Sequence, residues 1–334
     1  MSSISMDIPT LQINENELNN LISFIYKHEH LLKEFGAIKI QPNIQCKLAL
    51  KKRRKTLLVR PDNKRIVNMC NNKGIYFAQN VDHINGTTEQ NTLIKDEQSF
   101  WSLLSELGNE QRPLNISLLP NKSFFSEKTS RLYFDVHRLP KQSLLQLGGN
   151  KVTRQFIPHV KRAHGPGSIF PMSSTRQRLF SIDYHHEGGA HHWYFIPIRE
   201  RDTLETMMEQ KNSSVCLDHG YLFIDPLVLE ENHIRFHRII QYPNEFVVLS
   251  AGTLAQSFAE ESSWSESIAF ALPSWIEEGH ANVPVPLCQC NIFHDSSSET
   301  TIDTTLFRPE LIQRYITSYL NIIANDTSMR LNGS

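Results

Sequence analysis

From Ile169 onward the chain keeps producing short β-type runs: RLFSIDYHH, HHWYFIPI, GYLFIDP, FVVLSAG and ESIAFALPSW. Each is rich in Ile, Val, Phe, Tyr and Trp and is bounded by Gly, Pro, Ser or Asn, which is the pattern of strands separated by turns. Strands at this density predict a mainly β fold, an antiparallel sandwich or barrel such as a cupin-type jelly roll. Between them, DTLETMMEQ and PLVLEENHI read as helices. The tail LFRPELIQRYITSYLNIIAN is amphipathic, with Leu311, Tyr315, Tyr319 and Ile322 on one stripe.

The upstream half is less regular. Leu18, Leu21, Ile22 and Ile25 keep helical spacing, Asn14 is suited to the N-cap with Glu17 three residues on, and Gly36 stops the helix. AIKIQP, residues 37–42, then alternates like a strand. Residues 66–150 give little beyond a helical pattern around Phe100 to Leu107. Before them lies a basic cluster, Lys51, Lys52, Arg53, Arg54 and Lys55, followed by Arg60, Lys64 and Arg65. It reads either as a solvated loop face or as a nuclear-import or phosphate-contacting patch.

Composition narrows the class. Of 334 residues, 40% are hydrophobic and 21% charged, which excludes a disordered chain. No apolar run is long enough to cross a membrane. The N-terminus lacks the layout of a secretory signal. A formal net charge of -1 argues against whole-surface nucleic-acid binding. Five cysteines suit a disulfide scaffold poorly, so Cys/His clusters are weighed first as metal sites. A soluble, intracellular, folded protein is expected.

Three separated stretches resemble one family in its own order. FSIDYHHEGGAHHWYFIP, residues 180–197, is similar to the strand–turn–strand signature of JmjC domains. EFVVLSAGTLAQSFAEESSWSESIAFALPSWIEEG, residues 245–279, resembles the segment that carries the third iron ligand, through to the Trp275–Gly279 ending. DIPTLQINENELNNLISFIYKHE with GAIKIQP looks like a JmjN motif. Together they cover roughly two thirds of the chain. The chain is thereby identified as resembling the JmjN-plus-JmjC histone lysine demethylases, in the trimethyl-lysine branch. The resemblance implies a double-stranded β-helix core with flanking helices. It implies four segments: JmjN-like 7–45, a basic loop and mixed connecting region 46–150, a jelly-roll core 151–282, and a zinc-site and helical region 283–330.

Active members use Fe(II), held by two histidines and a carboxylate, together with 2-oxoglutarate. The matching ligand positions here are Ser173, Thr175 and Ala255, and nothing from Pro166 to Gln177 is His, Asp or Glu. At the cosubstrate positions, the family's cation falls at His191 and its asparagine at Asp183, while Tyr133 loosely matches a 2-oxoglutarate tyrosine. A neutral imidazole lacks the lysine charge, and an aspartate would repel a dicarboxylate. The expectation is a pseudo-demethylase that binds neither iron nor 2-oxoglutarate. A relocated metal site is the rival reading of Asp183, His185, His186, Glu187, His191 and His192. Strand alternation places Asp183 and His185 on one face and His186 on the other. The blander reading is polar histidines at strand edges.

The resemblance also implies a structural zinc on Cys216, His219, Cys288 and Cys290, a closed tetrahedral set. Cys46 and Cys70 are left over as ordinary thiols. Where the family surrounds methyl-lysine with aromatics, this chain has HVKRAHGPGSIF, with Lys161 and Arg162. That is either a basic lining unsuited to a lysine cation or an exposed basic loop. The expected role is a chromatin-associated or transcription-regulatory binding module in the nucleus. Its expected partners are chromatin, a histone tail or regulatory proteins, and no membrane. The alternatives are an active Fe(II)/2-oxoglutarate demethylase with an atypical metal site, or a nucleic-acid-binding module through residues 47–65.

Overall fold

The structure, a computed structural model, describes residues 5–44, 59–69, 72–80, 94, 96–106, 111–125, 134–211, 216–283 and 301–320. Tyr133, Cys46, Cys70, Cys288, Cys290 and the Lys51–Lys55 cluster lie outside them.

Strands are numbered along the chain. A nine-stranded sheet has the spatial order β1 (Ser5–Asp7), β13 (Phe236–Gln241), β11 (His191–Ile196), β15 (Leu254–Ala259), β9 (Ser168–Ser173), β12 (His219–Ile224), β5 (Asn72–Asn80), β4 (Lys64–Met69) and β6 (Arg112–Pro113). A seven-stranded sheet runs β2 (Thr10–Ile13), β3 (Ala37–Pro42), β14 (Phe246–Leu249), β10 (Phe180–Gly188), β16 (Ser263–Phe270), β8 (His159–Ala163) and β7 (Ile116–Leu119). All pairings are antiparallel except β1 with β13 and β2 with β3. The two sheets face one another as the expected jelly roll. Both also draw strands from residues 5–119, where the sequence gives little signal after Gly36–Pro42.

Several local readings are met in detail. Asn14 and Glu17 form a reciprocal capping box at the first helical turn, Glu15–Leu18. Gly36 closes the helix Glu29–Phe35 with φ 77°, a left-handed conformation that glycine adopts without a Cβ penalty. Gly188, in the turn from β10 to β11, has φ 106°, and a Cβ there would lie 2.1 Å from the Ser262 carbonyl oxygen. The close approach of β10 to β16 needs that hydrogen.

Three apolar layers follow from alternation on the strands. On the outer face of the seven-stranded sheet, Ile38, Ile40, Ile182, Tyr184, Phe246, Val248 and Ile268 pack against the N-terminal helices and the C-terminal segment. On the outer face of the nine-stranded sheet, Phe258 stacks on Phe100 of the helix Glu97–Ser105 at 3.8 Å and on His192 at 4.5 Å. Between the sheets lie Ile8, Ala37, Trp193, Phe195, Ile239, Val247 and Ala255.

Two expectations change. The C-terminal helix Pro309–Tyr315 buries Ile312, Tyr315 and, beyond it, Leu320, whereas Leu311 and Tyr319 are only half-buried. Of the expected stripe Tyr315 is buried, Tyr319 packs against the core and Ile322 lies outside the described residues, while Ile312 and Leu320 join the buried face. Residues 159–170 are not an exposed basic loop: they form β8 and the start of β9.

Phe258→Ala removes a ring enclosed on both sides and is expected to cost about 3–5 kcal/mol. The denaturant midpoint should fall with an unchanged m-value. Leu227→Ala, at a side chain 60% exposed, should stay within about 0.5 kcal/mol.

Candidate functional site

The jelly-roll interior has an apolar end and a polar end. The polar end arises because the inward positions of β8, β10 and β16 carry Lys161, Asp183, His185, Ser263 and Ser265. Register places Lys161 and His185 on either side of Ser265, and Asp183 opposite Ser267. From the facing sheet come His191, Trp193 and Ser257.

Lys161 Nζ donates to Asp183 Oδ2 at 2.8 Å, with the two side chains 23% and 4% exposed. The ammonium also stands 5.5 Å from the Trp193 ring centroid. Trp193 Nε1 donates to Gln241 Oε1 at 2.8 Å, and Gln241 Nε2 donates to the Asp183 carbonyl at 3.2 Å. One buried amide therefore ties β11 of one sheet to β10 of the other. Arg162, the next residue, points to the other face and stacks over Trp264 at 4.5 Å.

The four histidines part company. Alternation along β10 sends His185 inward with Asp183 and His186 outward beside Tyr184, and the strand bulges only between His185 and Glu187. His186 Nε2 lies 3.1 Å from the buried Glu266 carboxylate, and His192 Nε2 lies 2.8 Å from Glu260. Inside, the His185 and His191 rings are 4.7 Å apart. His191 Nε2 lies 2.5 Å from Ser263 Oγ. Both His185 nitrogens face carbonyl oxygens, Glu187 at 3.1 Å and Gln241 at 3.4 Å, so a neutral ring satisfies one of them. These are core residues, with His185 and His191 at 0% and 1% exposure, not strand-edge residues as expected. Strand alternation drives them inward. Burial pushes the His185 imidazole down to about 4, against the nearby Asp183 charge, which favours protonation. Burial, then the charges of His185 and Lys161, hold His191 well below its ordinary value. Among the described residues no group of three or more His, Cys, Asp or Glu side chains could hold a metal ion. The rival relocated-metal cluster is thus not assembled there.

Two of the three positions matched to the iron ligands meet directly. Ser173 and Ala255 are direct partners across β9 and β15, and His219 of β12 pairs with Ser173 on the other side. Thr175 lies two residues beyond, its hydroxyl donating to the Leu179 carbonyl. These groups do not fit Fe(II): a serine hydroxyl, a threonine hydroxyl already engaged with backbone, and a methyl offer neither imidazole nor carboxylate.

The loop is tied to the Cys216–His219 turn. Ser174 donates its backbone N–H to the Asp218 carbonyl at 3.3 Å and its hydroxyl to Asp218 Oδ1. Arg201 grips the same carboxylate in a fork, at 2.9 and 2.6 Å. Burial raises the Asp218 carboxyl, but the Arg201 fork and the Ser174 hydroxyl outweigh it and hold the group below its ordinary range. Cys216 Sγ and His219 Nδ1 are 3.2 Å apart. Two donors on one tetrahedral zinc would stand about 3.5 Å apart, so this half of the set fits the ion. Neither the Lys161–Asp183 pair nor the Asp218 clamp was foreseen. The only sequence signal for the pair was an acidic residue and a lysine at inward parities of two strands, legible only once register is known.

Residues 164–270 match the JmjC domain, described as a hydroxylase. The chain is 29% identical over 229 residues to the Lid2 complex component lid2 of Schizosaccharomyces pombe, covering 59% of this chain and 14% of that protein. It is 35% identical over 118 residues to probable lysine-specific demethylase 4F of Homo sapiens, covering 34% and 18%. It is 28% identical over 214 residues to Protein Jumonji of Gallus gallus, covering 58% and 16%. The matches thus span less than one fifth of the length of these relatives.

The buried imidazoles set a pH dependence. Their folded values lie below the ordinary 6.5, so the unfolded chain binds protons first as pH falls. Stability should be full above pH 6.5 and decline toward pH 4, with His185 contributing on the order of 3 kcal/mol. Denaturant titrations across that window should show the slope, and His185→Gln should flatten it.

Proposed function

We propose that this chain, which carries a JmjC domain and is homologous to lysine-specific demethylases and Jumonji-family proteins, is a pseudo-demethylase: a non-catalytic, chromatin-associated or transcription-regulatory protein. The observation that carries the reading is the meeting of Ser173 and Ala255 as paired residues, with Thr175 beside them, at the positions that match the family's iron ligands. Scaffold and chemistry are separable, because Ala255 packs in the layer between the sheets without any metal donor, and the two outer layers include none of the three side chains.

A second feature supports the reading. The cation that a bound dicarboxylate would need is already neutralised by the chain itself. Lys161 is paired to Asp183, and His191 is a buried, neutral ring. A 2-oxoglutarate carboxylate on Lys161 would sit beside the Asp183 charge, which nothing on a dicarboxylate offsets.

Cys216 and His219, with Cys288 and Cys290, would hold a structural zinc, which would crosslink the end of the jelly roll to the segment that follows it. Arg201, Asp218 and Ser174 would orient that turn, in the manner of the outer partners that fix metal-binding side chains. The Lys51–Lys55 cluster would serve nuclear import, and chromatin or regulatory proteins would be the partners. Among the described residues, no helix is long and apolar enough to cross a membrane.

Elemental analysis of the purified chain, after anaerobic incubation with Fe(II) and desalting, should find about one zinc and no stoichiometric iron. Incubation with 2-oxoglutarate should release no succinate above an iron-free control. Cys216→Ser should lose the zinc. Stoichiometric iron accompanied by succinate would overturn the reading.

A further inference from the structure

Among the described residues, four buried polar atoms at the polar end of the barrel find no hydrogen-bond partner: Asp183 Oδ1, His191 Nδ1, Ser257 Oγ and Ser265 Oγ. Their residues are 3%, 1%, 0% and 1% exposed. Folded proteins seldom leave such groups unmatched, and four in one enclosure ask for a shared partner. That they share one enclosure follows from contacts and register. Ser265 stands beside Lys161 and His185 on the inner face of one sheet. Ser257 stands opposite Trp193 and beside Phe170 on the other. His191 joins the two sheets, 4.7 Å from His185 by ring centroids, 2.5 Å from Ser263 and 5.6 Å from the Phe170 ring.

The charges restrict the partner. Lys161 and Asp183 cancel, and both imidazoles are neutral, so the enclosure has no net positive charge to offer an anion. One carboxylate oxygen is spent on Lys161 and the other is an acceptor in want of a donor. Lys161 has three donor positions, of which Asp183 occupies one. A ligand that gives a cationic donor to Asp183 and a carboxylate to Lys161 completes an alternating square of charges. A compact molecule with a further hydroxyl would also reach the serine hydroxyls and His191 Nδ1. Of these side chains Lys161 is the most exposed, at 23%.

We propose that the polar end of the barrel binds a small zwitterionic amino acid, with its ammonium on Asp183 Oδ1 and its carboxylate on Lys161 Nζ. The inference does not depend on the proposed role above, since it rests on the orphaned atoms and the ion pair alone.

The test is thermal unfolding of the full chain with L-serine, glycine, L-alanine, L-threonine or L-asparagine added singly, and with succinate, acetate and ethanolamine as partial mimics. L-serine or another of these zwitterions should raise the melting temperature in a concentration-dependent way, while the three mimics should not. Asp183→Asn should abolish that shift, and it should create a response to succinate by freeing Lys161. The double variant Ser257→Ala/Ser265→Ala removes two orphaned hydroxyls. It should fold at least as well as the natural chain and show a smaller amino-acid shift, which keeps the test decisive if Asp183→Asn does not fold. The absence of any zwitterion effect on the natural chain would overturn the proposal, leaving water as the partner of these atoms. An undiminished effect in both variants would overturn it equally.

Discussion

The ion pair between Lys161 and Asp183 governs what the interior of this barrel can do. Asp183 is all but fully buried, and a carboxylate in that position is tolerable only with a cation and hydrogen bonds around it. Lys161 supplies the cation from a strand two places away in the same sheet. Trp193 caps the ammonium from the facing sheet, and Gln241 braces both Trp193 and the Asp183 backbone. Removing either charged partner would leave an uncompensated charge in the core, which costs far more than a typical surface pair is worth. Burial holds both His185 and His191 below the ordinary imidazole value, and for His191 the charges of His185 and Lys161 add to it.

From that pair follows a division of the barrel. Trp193, Phe195, Ile239 and Val247 fill one end with apolar contact. The other end keeps polar side chains facing one another across the sheets. The Ser173–Ala255 pair lies along the strands that bound this interior, and the loop after Ser173 is held by Asp218. Asp218 in turn sits between Cys216 and His219 in sequence, so one carboxylate links the loop that follows Ser173 to half of the proposed zinc set. Arg201 secures it from a helix. A structural crosslink at the turn and a loop without metal donors can coexist, since each is fixed by hydrogen bonds of its own.

Much of the fold was legible where the signal was local. The capping box at Asn14 and Glu17, the stop at Gly36, and β10, β11, β12, β14 and β16 follow from residue types and their spacing. The placement of Ser173 against Ala255 followed from the family resemblance. What could not be read was long-range. Lys161 and Asp183 are 22 positions apart and meet only because β8 and β10 both flank β16. The burial of His185 and His191 depends on which face of a bulged strand meets the other sheet. β4, β6 and β7 are edge or near-edge strands: polar residues mask any alternation in β4, while β6 and β7 are only two and four residues long.

The central claim is that the chain has exchanged a dicarboxylate site for an internally neutralised interior. Calorimetric titration of the intact chain with 2-oxoglutarate, under anaerobic conditions with Fe(II) present, tests it most directly. The expected result is no saturable heat up to millimolar ligand, with only dilution in the trace. A saturable one-to-one isotherm would contradict it, because it would mean that the interior accepts a dicarboxylate despite the Asp183 charge.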